Sequence, residues 1–165
     1  MNNNSAVVTI MAVVILILSL GFIIIQARPR SYTPRIVDVY YYDLGTGQTY
    51  LAKSNEIPPI PAPSGKLGVR AHVFSCGDCS NPSDHFIGWL EMYTREAKEQ
   101  LTNPQPPDPN GPPAYDVWER GHLVRAPDVD KWVPANGEEG FKIMEAMQTK
   151  CGSGGQPRPC FPNEP

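Results

Sequence analysis

Hydrophobic and polar positions follow two different rhythms along this chain. Ser5 to Ile25 (SAVVTIMAVVILILSLGFIII) is a run without a charge, a proline or an amide side chain. As a helix rising about 1.5 Å per residue it covers roughly 30 Å, the thickness of a hydrocarbon core. The pattern therefore predicts a transmembrane anchor over residues 1–27 that meets a lipid bilayer through Ser5–Ile25. A cleaved signal peptide is the alternative, but its apolar region is usually about 7–15 residues behind a positive start, and MNNN has no basic side chain. No Lys or Arg precedes the run, whereas Arg28, Arg30 and Arg35 follow it. The positive-inside rule then favours the cytoplasm for the rest of a single-pass chain, with an extracytoplasmic domain as the alternative, because a proline-rich, four-cysteine composition is common there.

Beyond the run, residues 28–35 read as a proline-interrupted stalk and 36–162 as one small domain. Ile36–Tyr42 and Gln48–Ala52 are β-prone stretches around a glycine-containing turn, the pattern of a hairpin. Residues 57–63 (IPPIPAP) and 103–113 (NPQPPDPNGPP) are proline-rich loops. Gly68–Ser75 alternates as a strand. Residues 84–101 carry Phe86, Leu90, Tyr93, Ala97 and Leu101 at helical spacing, but Gly88 interrupts them and Thr94 with Glu96 resembles a helix start. That predicts a strand at 86–92 and a helix at 94–101. Residues 116–119 and 122–125 suggest a second hairpin around Arg120-Gly121. Asn136 is a candidate N-cap for a helix over 137–149, with Phe141, Met144 and Met147 facing inward. The expected fold is α+β: a transmembrane helix, then a β-rich domain with two short helices.

Composition narrows the function classes. A net charge of −3 argues against nucleic acid as a partner, because neutralising phosphates needs a basic face. All 19 prolines lie after the apolar run, which excludes a polytopic membrane protein and a long helical bundle. No phosphate-binding glycine loop, serine elbow or zinc-protease helix is present. His72 and His122 read as a half-buried strand histidine and a surface residue. Trp89, Trp118 and Trp132 read as core.

The candidate chemistry lies in four cysteines, Cys76-Gly-Asp-Cys79 and Cys151…Cys160. A structural zinc ion held by Cys76, Cys79, Cys151 and Cys160, with His85 as an alternative ligand, is the favoured reading. Two disulfides of unknown connectivity are the second. A thioredoxin-like dithiol at Cys76/Cys79 is the third, weakened by the carboxylate of Asp78 beside the thiols. The function that follows is a membrane-anchored interaction or scaffold domain with a cysteine staple and a protein partner, zinc being its one cofactor. Its alternative is an anchored thiol–disulfide oxidoreductase.

The segments YYDLGTGQTYLA, GVRAHVFSCGDC, FIGWLEMYTREAK, WVPANGEEG and CGSGGQPRPCFP together resemble a family of short bacterial membrane-anchored proteins with no assigned activity. The resemblance covers most of residues 36–162. It implies that both cysteine pairs belong to a shared pattern, and it supplies no catalytic residue.

Overall fold

A computed structural model describes residues 3–26, 35–104, 114–152 and 155–162. The chain divides into two units, 1–35 and 36–165. The first holds one helix, α1 (Asn3–Gln26). Among the described residues no helix is long and apolar enough to cross a membrane. The expected transmembrane anchor and the single-pass placement are corrected accordingly, and the positive-inside argument for a cytoplasmic domain loses its premise.

The second unit is built on one antiparallel sheet. Its strands are β1 (Asp38–Asp43), β2 (Thr49–Lys53), β3 (Ile60–Pro61), β4 (Leu67–Ser75), β5 (His85–Tyr93), β6 (His122–Arg125), β7 (Val133–Pro134) and β8 (Arg158–Pro159). They lie in the order β2-β1-β4-β5-β6-β7, with β3 and β8 also paired to β4. Helices α2 (Arg95–Thr102), α3 (Ala114–Gly121) and α4 (Glu138–Ala146) complete it. Among the described residues a β-rich antiparallel sheet with four α-helices replaces the expected two short helices and membrane span. The second hairpin is likewise corrected: its first arm is helix α3, and only 122–125 is strand.

Alternation gives the sheet two faces. One buries Val69, Ala71, Val73, Leu90 and Cys160, with Ile87 and Met92 packed against them. On the other, Val124, Val133 and Ala135 form a smaller cluster with Trp89 and Ile143 of α4. The register of β4 and β5 shifts between His72 and Val73, because His72 faces Trp89 while Val73 faces Ile87. Gly88 is thus the extra residue of a bulge. A Cβ there would stand 2.8 Å from the Phe74 ring, so the ring and the missing side chain fit each other.

The Thr94 hydroxyl accepts from the Ala97 N–H and starts α2, as the sequence suggests. In α4 the cap is Gly137, not Asn136, and Phe141 is exposed. Gly140 and Met147 are the buried positions, because the missing side chain of Gly140 lets the helix sit on the carbonyls of Pro134 and Ala135. Residues 57–63 supply β3, with a cis Pro58–Pro59 bond. The stalk over residues 28–34 and the loop from residue 105 to 113 lie outside the described residues.

Asp43 ties two turns together. Its buried carboxylate accepts from the Gly45 N–H at 2.8 Å, the Ser64 N–H at 3.1 Å and the Ser64 hydroxyl at 2.6 Å. The Ser64 hydroxyl, then the backbone donors, hold its pKa below the usual value against the opposing effect of burial. A pKa lower folded than unfolded contributes stability above the unfolded value, about 4, and loses it as pH falls through the folded one. Asp43→Asn is therefore expected to lower the thermal midpoint at pH 7. The gap to the parent should narrow below pH of about 4, read by circular dichroism melts across pH.

Candidate functional site

On the sheet face that carries α4, three central strands bring together His72 of β4, Glu91 of β5 and His122 of β6. Cross-strand partners share a face. Arg70 stands opposite Glu91, His72 opposite Trp89, and His122 opposite Tyr93. The His72 Nε2 lies 2.8 Å from Glu91 Oε2, and the His122 Nε2 lies 3.5 Å from the same oxygen. The first is a well-formed hydrogen bond, while the second exceeds the usual 2.7–3.2 Å. Glu91 is the most enclosed of the three, its side chain 13% exposed against 31% for His72 and 24% for His122.

Burial pushes the Glu91 carboxyl up, but the contacts and charges of His122 and His72 outweigh it and hold the pKa well below the carboxylate range. Glu91 is thus an anion throughout the physiological range. Aromatic rings fix both imidazoles. His72 stacks on Trp89 with centroids 4.5 Å apart, and His122 stacks on Tyr93 at 5.0 Å with Trp118 at 6.4 Å. Arg70 is held beside them: its Nη2 donates to the carbonyls of Ser54 at 2.9 Å and Glu56 at 3.2 Å, and its guanidinium lies over the Tyr41 ring. The arrangement is a carboxylate shared by two proton-accepting rings, with a permanent cation in register across from it.

The cysteines sit at the far end of β4 and form no such cluster. Cys76 is bonded to Cys151 and Cys79 to Cys160, with Cα separations of 5.3 and 5.4 Å, inside the normal disulfide range. No cysteine is left free. Among the described residues no group of His, Cys, Asp and Glu is arranged to hold a metal ion. The expected zinc ion is therefore corrected to two disulfides, since a sulfur shared in a disulfide is no longer the thiolate that binds zinc. His85, the alternative ligand, instead places its Nε2 3.0 Å from the Cys79 carbonyl oxygen. The dithiol reading falls as well, because Cys76 and Cys79 are bonded to distant partners and not to each other.

Of the tryptophans, Trp89 and Trp132 are half-buried and Trp118 is exposed. Trp132 lies against the Arg125 guanidinium at 5.1 Å on the opposite face. Sequence reasoning had no reason to single out Glu91, and it placed His122 at the surface. The signal was there in parity: once β4, β5 and β6 are adjacent, His72, Glu91 and His122 fall on one face. No family model, curated protein or solved structure matches this chain.

Proposed function

We propose that residues 36–162 form a disulfide-locked binding domain for a protein partner, working in an oxidising compartment. The crossed pairing of Cys76 and Cys79 carries the reading. A redox C-x-x-C pair cycles between its own two sulfurs, whereas here each sulfur anchors the end of β4 to the C-terminal segment across sequence separations of 75 and 81. Bonds of that kind persist where glutathione and thioredoxin do not reduce them. Among the described residues β2 is an outer strand of the sheet, which supports a binding role. β2 is five residues long, and its central Leu51 is 51% exposed. A partner's strand can extend the sheet along such an edge.

Trypsin leaves Cys76 and Cys79 on one peptide, so connectivity is best tested by single substitutions. Cys151→Ser should leave one free thiol. After alkylation and cleavage before Asp78, the label is expected on the peptide carrying Cys76. A label on Cys79, or a Cys76–Cys79 bond in the parent protein, overturns the locked-domain reading. A photoreactive residue at Leu51 is expected to crosslink to protein, and failure to do so removes the β2 edge as the contact.

A further inference from the structure

We propose that β2 is a self-pairing edge: the partner that extends the sheet is a second copy of this chain, its own β2 running antiparallel about a two-fold axis at Leu51. The inference rests on the β2 edge being the contact, and it names what binds there. At the two ends of the first hairpin, the Asp43 N–H donates to the Gln48 carbonyl at 2.9 Å and the Ser54 N–H to the Val37 carbonyl at 2.8 Å. The register between those points is unbroken, from Asp38 opposite Lys53 to Tyr42 opposite Thr49. Hydrogen-bonded and non-hydrogen-bonded pairs alternate along an antiparallel ladder. Gln48, Tyr50, Ala52 and Ser54 therefore turn their backbone groups toward β1, while Thr49, Leu51 and Lys53 turn theirs outward. These three are symmetric about Leu51. A second β2 laid antiparallel, Leu51 opposite Leu51, meets outward N–H groups with outward carbonyls. The Lys53 carbonyl already accepts from the Glu56 N–H at 3.0 Å. The bonds that remain are the two between the Leu51 residues and one from each Lys53 N–H to the facing Thr49 carbonyl.

The side chains suit the same register. Thr49, Leu51 and Lys53 are exposed and share one face, alternating with half-buried Tyr50 and Ala52. Leu51 stands opposite Tyr40 of β1, so an apolar row Tyr40–Leu51–Leu51–Tyr40 runs across the junction. On the other face each Tyr50 meets an Ala52. Each Lys53 meets a Thr49, so no like charges oppose, and its ammonium is already held by Asp38 at 2.8 Å. Proline and bulges are devices that keep sheet edges from pairing with other copies. Among the described residues β3, β7 and β8 are each two residues long and each contains a proline. β2 has neither a proline nor a bulge, and its one charge lies at its end. A strand of five residues is small against the roughly 20–30 residues a side of a stable interface, so the pairing is weak and concentration-dependent.

The experiment places a photoreactive residue at Leu51 of the full chain and irradiates an equal mixture of ordinary and isotopically heavy protein over a dilution series. Mixed-isotope pairs joined through residues 49–53 of both copies are expected, with a yield that rises with concentration. Thr49→Glu sets a carboxylate opposite Lys53 at both ends of the junction and should lower the half-yield concentration about fivefold. Thr49→Lys opposes like charges there and should raise it about fivefold. Ser80→Glu, beyond the far end of β4, adds the same charge as Thr49→Glu and should change nothing. Circular dichroism checks that each variant folds, and either Thr49 variant alone carries the sign. The proposal is overturned if mixed pairs are absent at every concentration, if they join through another segment, or if a folded Thr49 variant shifts the yield the wrong way or not at all. A Leu51 crosslink to a different protein, without self-pairs, overturns the second copy but keeps β2 as the docking strand. No crosslink to any protein removes the edge itself.

Discussion

Replacing both Cys79 and Cys160 with alanine is expected to cost about 4–5 kcal/mol and to lower the thermal midpoint by about 15 °C. The chain-entropy contribution of a loop this long is about 4 kcal/mol for either bridge, so that term does not separate the two. Their surroundings do. Cys160 is 3% exposed and sits in the core with Val73 and Leu90, with Cys79 packed against it. Its N–H also donates to the Val73 carbonyl at 2.9 Å. Losing that bridge removes core packing as well as a constraint. Cys76 is exposed and Cys151 half-buried, so the Cys76→Ala/Cys151→Ala pair should cost only about 2–4 kcal/mol. Melts followed by near-ultraviolet circular dichroism rank the two. Equal losses would mean that packing around Cys160 contributes nothing, and that chain constraint alone explains both bridges.

Gly140→Ala should destabilise the domain by about 2 kcal/mol, although alanine is normally the better helix residue by about 1 kcal/mol. The sign reverses because the new Cβ would stand 2.3 Å from the Pro134 carbonyl oxygen and 2.8 Å from that of Ala135. Both are backbone atoms, which a rotamer change cannot move aside. Relief requires α4 to lift from the β7 segment, and with it Ile143 from the cluster of Val124, Val133 and Ala135. The thermal midpoint should fall by about 5–10 °C. Gly77→Ala is the control, since its Cβ would meet nothing within 4 Å. A neutral or stabilising Gly140→Ala would mean that α4 has room to shift at little cost.

These two sites show what the sequence could and could not reveal. Local chemistry was legible. The Thr94 cap, the β-prone runs on either side of the first turn and the strand leading to Cys76 all follow from a few neighbouring residues. What depended on distant partners was not. The inward face of α4 was read from Phe141, Met144 and Met147, but the close approach of Gly140 to the 134–135 backbone rotates Phe141 outward. Residues 116–119 looked like a strand beside Arg-Gly, yet they belong to helix α3, which closes against α2. There a Cβ on Gly121 would come within 2.3 Å of Ala97. Glu91 was invisible because a single glutamate on a strand has no signature until the strands beside it are known. The cysteine spacing was visible, but it was read in favour of zinc, because four sulfurs at those positions suit a tetrahedral site as well as disulfides until the pairing is seen.

The crossed bridges also set an order of events in the making of the protein. Cys76 and Cys79 emerge from the ribosome 75 and 81 residues ahead of the partners they finally take. At about 5–20 residues per second, that leaves them roughly 4–15 s with only each other within reach. Oxidation in that interval closes the small ring between them, which must be reopened before either bridge to the C-terminal segment can form. A nascent chain truncated before Cys160 has no correct partner for Cys79 at all. Maturation of this domain is therefore tied to synthesis of Cys151 and Cys160, and disulfide reshuffling would be needed wherever oxidation outpaces synthesis.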